Sequence, residues 1–271
     1  MSSRRPPRAL DSLPDIERLI GPRRSAFFLD FDGTIAPLSS HPDLAELPAS
    51  TKEVLISLAR DHVVCFVSGR DLADLRRKVE LPDVYYAGDH GYHVAGPAES
   101  GIELEVGPED RLELESASYE LEWRLHSIKG IVVETKGTSL SVHYRLVAEG
   151  DRPLVHQIVR EVAASAPGLD LTAGKLVHEL RPRLPWGKGR AVLWLLGQLH
   201  LRRDEVCPIC LGDDLTDEDM FVAIRRWGVG VVVGELSRTT RADYALEDPN
   251  EAAHFLQSFV TREGGPYSPL V

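Results

Sequence analysis

Cysteine is scarce, with three in 271 residues. That number is odd and too small to staple a chain of this size, so a disulfide framework is excluded and a reducing compartment fits. Long apolar runs are missing too. The longest, Trp227 to Val233, is broken by glycine and falls far short of the roughly 20 residues that cross a bilayer. The first ten residues carry Arg4, Arg5 and Arg8 with no apolar stretch behind them, which reads as a flexible tail and not a signal peptide. The expectation is a cytoplasmic protein without membrane contact. Cations are in deficit, 31 Lys and Arg against 42 Asp and Glu, for a net charge of −11. That balance argues against binding duplex nucleic acid through its phosphates. An acidic protein that takes an anionic ligand needs a local cationic pocket or a metal ion to receive it.

What is present is ordinary globular composition, 43% hydrophobic and 27% charged, in a length that allows one large domain or two modest ones. Ala26 to Phe31, apolar except for Asp30, reads as a buried parallel strand closed by Asp32-Gly33-Thr34. A helical period over Thr51 to Arg60 follows, then a strand from His62 to Val67 ending in Ser68-Gly69-Arg70, a helix from Leu72 to Val79, and a strand from Val84 to Ala87 ending in Gly88-Asp89-His90-Gly91. In doubly wound sheets ligands bind beyond the carboxyl ends of the strands, where these turns fall. The pattern then changes to a hairpin near Gly101, an acidic helix from Glu109 to Leu125 and a β-β-α-β-β run ending at Leu180. From Lys188 the βα alternation resumes. The expected fold is therefore α/β: a doubly wound, Rossmann-like parallel-sheet core over 25–106 and 182–271, interrupted by a smaller α+β cap over 107–181, after a tail and lead-in helix over 1–24. Nine carboxylates between Glu99 and Glu122 meet one cation, Arg111, and read as a solvated face.

Asp30 and Asp32 end an otherwise apolar strand, where two carboxylates are costly unless compensated. At i and i+2 of an extended chain they share a face, roughly 6.5 to 7 Å apart. Asp213-Asp214, with Asp217 close behind, follows another apolar strand and opens a helix. Asp217 there could simply cap the helix, but capping leaves the Asp213-Asp214 pair unexplained. If both strand ends meet at one sheet edge, at least four carboxylates crowd together, and an oxygen-rich set of that kind predicts Mg2+. Ser68, and Lys188 at the start of a helix, suit a phosphoryl group. Cys207-Pro208-Ile209-Cys210 is a rival signal for thiol redox chemistry, but it lies within a strand and not at a helix N-terminus that would activate a thiol.

With Asp30-Phe31-Asp32-Gly33-Thr34, Ser68, Lys188 and Gly212-Asp213-Asp214 with Asp217, the chain resembles the haloacid dehalogenase superfamily of phosphohydrolases. More narrowly it is similar to the trehalose-6-phosphate phosphatases, through Gly88-Asp89-His90-Gly91, Glu134-Thr135-Lys136, His143-Tyr144-Arg145, Gly174-Lys175, Glu179-Leu180-Arg181-Pro182 and the Gly212 to Phe221 stretch. The likeness spans about Phe27 to Leu256. It departs where Trp186-Gly187 precedes Lys188 in place of the usual asparagine, and at Asp89, where Glu or Asn is common.

The resemblance implies an aspartyl-phosphate mechanism, with Asp30 as nucleophile, Asp32 as general acid and base, and Ser68 and Lys188 on the phosphoryl oxygens. Mg2+ would be held by Asp30, the Asp32 carbonyl and Asp213, with Asp214 and Asp217 behind them. As an acid near neutral pH, Asp32 would need a pKa above about 3.9, which partial burial and neighbouring carboxylates would supply. Glu134, Lys136 and Glu179 on the cap, and Arg70 and His90 on the core, would contact a sugar phosphate. His143 and Arg145 are candidate structural partners. A monomer acting on a small molecule is expected. The alternatives are a capped phosphatase for glucosylglycerol or mannosylglycerate phosphate, a silent sugar-phosphate sensor and a thiol redox protein.

Overall fold

A computed structural model describes residues 6–39, 41–107, 110–136, 139–174, 176–234 and 239–260. In chain order the elements are α1 (Leu13–Ile20), β1 (Arg24–Leu29), α2 (Ala49–Asp61), β2 (Val63–Val67), α3 (Leu72–Val79), β3 (Tyr85–Gly88), β4 (His93–Ala95), β5 (Glu103–Glu105), α4 (Asp110–Leu125), β6 (Val132–Lys136), β7 (Ser139–His143), α5 (Arg152–Ser165), β8 (Leu169–Gly174), β9 (Val177–Pro182), α6 (Lys188–Gln198), β10 (Val206–Gly212), α7 (Glu218–Ile224), β11 (Val229–Val233), β12 (Tyr244–Leu246) and α8 (Pro249–Gln257). The chain divides into two compact units, Met1–Leu104 with Trp186–Val271, and Glu105–Pro185.

The first unit holds an eight-stranded sheet in the order β12-β11-β10-β1-β2-β3-β4-β5. From β12 to β3 neighbouring strands run parallel, and β4 turns back antiparallel on β3. Parallel strands are buried on both faces and so read as nearly continuous apolar runs. The two-residue side-chain period divides β1 between two cores. Phe27 and Leu29 join Leu55, Leu75 and Phe255 from α2, α3 and α8, whereas Ala26 and Phe28 meet Val192, Leu195 and Phe221 from α6 and α7. Each fully buried Phe contributes about 1.5–3 kcal/mol. Helices on both faces make this a doubly wound sheet, and β1 lies at its centre.

The second unit is a four-stranded antiparallel sheet, β6-β7-β9-β8. Leu114, Leu121 and Leu125 of α4 and Val155 and Val159 of α5 pack with Leu140, Val142 and Leu180 of the strands. Its limits differ slightly from the expected 107 and 181. The amide of Arg183 donates to the Gly168 carbonyl (2.6 Å), which keeps the chain with β8 for a few residues past the expected boundary.

Two expectations change. Basic composition suggested a flexible start, yet from Pro6 onward the chain is tied down: the Ala9 amide donates to the Ala245 carbonyl (2.8 Å), the Ala245 amide donates to the Pro7 carbonyl (2.9 Å), and Arg8 pairs with Glu247 and Glu251. Residues 1–5 lie outside the described residues. The rival redox motif separates as well. Cys207 and Cys210 fall in opposite cores of the buried strand β10, and burial pushes both thiols up. A thiolate pair is thereby disfavoured.

In the second unit, His156 of α5 and His178 of β9 are joined Nδ1 to Nε2 at 2.6 Å, with the Tyr144 ring against both. One nitrogen must carry hydrogen and the other must not. Burial lowers the basicity of His178, and His156 and Arg160 add to the effect. An unfolded imidazole titrates near 6.5. Below that pH the unfolded chain takes up a proton that the folded His178 resists, so stability from this joint is present at neutral pH and declines as pH falls through the imidazole range. Thermal melts from about pH 7 to about pH 5 should therefore fall more steeply for the native chain than for His178→Phe. Equal slopes would remove the joint from the account.

Candidate active site

Four turns meet at the carboxyl edge of the central strands. Asp30 follows β1 directly, its amide donating to the Leu211 carbonyl of β10 (3.0 Å), so adjacent parallel strands bring Asp30 and the Asp213 turn side by side. Gly33, at φ 83°, turns the chain so closely past Asp213 that a Cβ there would lie 2.3 Å from its Oδ2. Only glycine fits that approach without strain. The buried hydroxyl of Thr34 donates to Asp30 Oδ2 (3.2 Å) and lies 3.5 Å from Asp213 Oδ1. Lys188, the first residue of α6, extends a buried ammonium to Asp30 Oδ1 and Asp217 Oδ1, both at 2.6 Å. Asp217 is fully buried, and its other oxygen accepts from the amides of Asp213 (3.0 Å) and Asp214 (2.9 Å). Asp214 faces solvent and caps the turn at Leu215 (2.6 Å). Of the two residues expected behind the cation, Asp217 is therefore the one built into the centre.

Oxygens of Asp30, Asp213 and Asp217 lie within 4.8 Å of one another. Burial raises the Asp30 carboxyl well above the usual carboxylate range; Lys188 opposes the rise, while Asp217 and Asp213 add to it. Asp213 is pushed up to about 6 by burial, with Asp217 and Asp214 contributing. Burial works against the Lys188 ammonium, but Asp30 and Asp217 outweigh it and hold its pKa above the ordinary lysine value. Three carboxylates against one ammonium leave the group short of two positive charges, which adds to burial in raising Asp30 and Asp213. An all-oxygen, half-enclosed set of this charge fits a hard divalent cation.

The second carboxylate of the motif has a cationic partner. Asp32 is a third exposed, and its two oxygens accept from Arg70, from Nε at 2.5 Å and from Nη2 at 2.6 Å. Arg70 also donates to Asp74 (2.7 Å) and lies over the Phe31 ring. Asp32 is thus held by a cation, and Arg70, named above as a substrate contact, joins Asp32 and Asp74 through one guanidinium. The guanidinium fork matches a carboxylate with two hydrogen bonds, which fixes its direction. Spacing gives no sign of this pairing, because Asp32 and Arg70 come from different strand ends.

Ser68 is buried, and its Oγ accepts from the Arg70 amide (3.2 Å). Asp89, His90 and Gly91 are consecutive left-handed residues. Two non-glycine residues there store about 1–3 kcal/mol each, a cost met where surrounding contacts over-determine the turn. The Asp89 amide donates to the Arg70 carbonyl (2.7 Å), the His90 amide donates to the Ser68 carbonyl (2.8 Å), and Trp186 Nε1 donates to Gly91 (2.7 Å). A Cβ on Gly69 would lie 2.7 Å from the His90 ring. His90 therefore backs the Ser68 turn.

Residues 28–250 match the family model for trehalose-phosphatase. The chain belongs to that family. Trehalose-phosphate phosphatase B of Arabidopsis thaliana is 33% identical over 265 residues, covering 94% of this chain and 71% of its own length. The trehalose-phosphate phosphatase of Mycobacterium marinum is 38% identical over 253 residues, covering 92% and 64%. The C-terminal domain of Candida albicans trehalose-6-phosphate phosphatase superposes with a TM-score of 0.75 at 23% identity, over 94% of this chain and 98% of that one.

In this trehalose-phosphatase family member the second unit carries its own polar row. Register aligns Glu134 with Ser141, Ser141 with Glu179 and Glu179 with Thr172, so the four point to one face of the sheet. Val142 and His178 point to the helix-covered side. Glu134 meets His143 Nε2 (3.1 Å), and Glu179 accepts from Arg181 (2.7 Å). Lys136 ends β6, and its side chain lies outside the described residues, as does Lys175. No helix among the described residues is long and apolar enough to cross a membrane.

Proposed function

We propose that this phosphatase hydrolyses trehalose 6-phosphate to trehalose and phosphate through an aspartyl-phosphate on Asp30. The observation that carries the reading is the buried Asp30 carboxylate, held by Thr34 on one oxygen and Lys188 on the other, at the edge shared with Asp213 and Asp217. Mg2+, held by Asp30, Asp213 and the Asp32 carbonyl, would offset phosphate charge as a Lewis acid.

The protein's own groups do the rest. Thr34 and Lys188 fix the Asp30 oxygens, so attack on phosphorus comes from a carboxylate already oriented. As the new oxygen–phosphorus bond forms and the bond to the sugar breaks, a protonated Asp32, holding Arg70 by one oxygen only, gives its proton to the departing sugar oxygen and as a carboxylate accepts from Arg70 on both oxygens. In the second step Asp32 takes a proton from the attacking water, phosphate leaves and Asp30 is restored. Ser68 and Lys188 donate to the phosphoryl oxygens, where charge is spread in the transition state. Glu134 and Glu179 would bind sugar hydroxyls, as the polar row supports, with Lys136 as a further contact from the end of β6. Three buried free cysteines agree with a reducing, cytoplasmic setting.

Phosphate release across disaccharide, monosaccharide, glucosylglycerol and mannosylglycerate phosphates, with Mg2+ and with a chelator, tests the reading. Trehalose 6-phosphate is expected to be preferred and chelation to stop turnover. Equal rates across the panel would overturn the substrate, and chelator-resistant activity would overturn the cation.

A further inference from the structure

Helix α4 is apolar on two opposite faces. Leu114, Ala117, Leu121 and Leu125 are buried in the core of the second unit. On the far side Leu112, Tyr119 and Trp123 are 73%, 75% and 75% exposed. An outward aromatic pair one turn apart is unusual, because large apolar side chains are normally drawn under cover. Leu112 and Tyr119 are seven residues apart, Tyr119 and Trp123 four, and exposed Ser116 fills the intervening place. This is the alternating four-and-three spacing of a coiled-coil seam, over about 17 Å of helix.

The positions flanking that seam are Glu113 and Glu120 on one side and Glu115 and Glu122 on the other. These are the places whose charges choose the partner in a helix pair. Glu113 accepts from the Gly168 amide (2.9 Å), and Glu120 touches Arg124 (3.3 Å). Arg124 offsets part of the charge of Glu120, and four carboxylates still outnumber that cation along the flanks. A second copy of this helix, parallel or antiparallel, would set Glu against Glu, which disfavours self-association.

We propose that the outward face of α4 docks an amphipathic helix of another protein, apolar at its seam and carrying Lys or Arg at both flanks. The seven-residue spacing sets a left-handed crossing near +20°. The acidic run set aside as a solvated face thereby acquires a role: it selects the sign of the partner.

The test uses the full chain and two fluorescently labelled helical peptides of about three heptads, each with Leu along the seam, one with Lys and one with Glu at the flanks. The Lys peptide is expected to bind, and more weakly as salt rises. Trp123→Ser should weaken it about thirtyfold, and Glu120→Lys combined with Glu122→Lys should transfer preference to the Glu peptide. Unchanged phosphate release in each variant establishes that the fold is intact. The proposal is overturned if the Lys peptide does not bind, if both peptides bind equally, or if sedimentation shows a dimer of the protein alone that Trp123→Ser dissolves.

Discussion

Asp30→Asn should abolish phosphate release, by at least about 10⁴-fold, while the protein stays folded. The amide keeps the shape of the side chain, and its oxygen can still accept from Thr34 or Lys188, the two groups that hold Asp30. It lacks the anionic oxygen that attacks phosphorus. The stability effect should run the other way from the activity effect. Asp30 is raised by burial and by Asp217 and Asp213, so removing one carboxylate relieves like-charge crowding at the sheet edge. A thermal melt no lower than that of the native chain, beside an inactive assay, is the expected pair of results. Native-level turnover would remove Asp30 from the chemistry.

Lys188→Ala should damage folding and turnover together. The ammonium is 3% exposed and bridges Asp30 and Asp217, which are 5% and 0% exposed. Breaking a buried ion pair from one side leaves the other charge uncompensated, at about 3–5 kcal/mol. Loss of a positioned cation at the phosphoryl group should lower kcat by about 10²–10³. Arginine should not substitute, because a planar guanidinium does not fit a slot closed around a point charge. Urea unfolding with and without Mg2+ separates the two effects. A cation that binds only the folded state stabilises it by mass action, so Mg2+ should return part of the lost stability to Lys188→Ala without returning the rate. A variant as stable as the native chain would show that Asp217 and Asp30 do not depend on the ammonium.

Much of the core was legible because buried parallel strands are conspicuous. Ala26 to Phe31, His62 to Val67 and Val206 to Leu211 each announce themselves as apolar runs; Asp30 breaks the end of the first, and the turns after the other two hold Ser68 and Asp213. Strand β12 was not read from the sequence, since Tyr244–Leu246 is three residues long, too short for a period to show. Partner choice between side chains was the other blind spot. Arg70 carries no mark in the sequence that it chelates Asp32, because that contact depends on how β1 and β2 align. Thr34 was the more readable omission: a hydroxyl four residues after the first aspartate, just past a glycine turn, is well placed to reach back to it. The ordered start could not be read from composition, because its hydrogen bonds go to the backbone of Ala245.

The place of β1 in the sheet has a consequence for how the enzyme is made. On one edge β1 pairs with β2, which follows closely, and on the other with β10, which begins at Val206. Everything from α2 to α6 must leave the ribosome before that second edge is closed. At ordinary synthesis rates this interval is on the order of ten to forty seconds. Throughout it the nascent chain presents an open, apolar strand edge, the feature that most invites pairing with another chain. The second unit can fold within that interval from local antiparallel pairs. Slow, long-range closure of β1 on β10 follows, and only then do Asp30 and Asp213 meet. Activity is thus a late event in biogenesis, and a nascent chain stalled before β10 would be exposed to aggregation without ever having been a phosphatase.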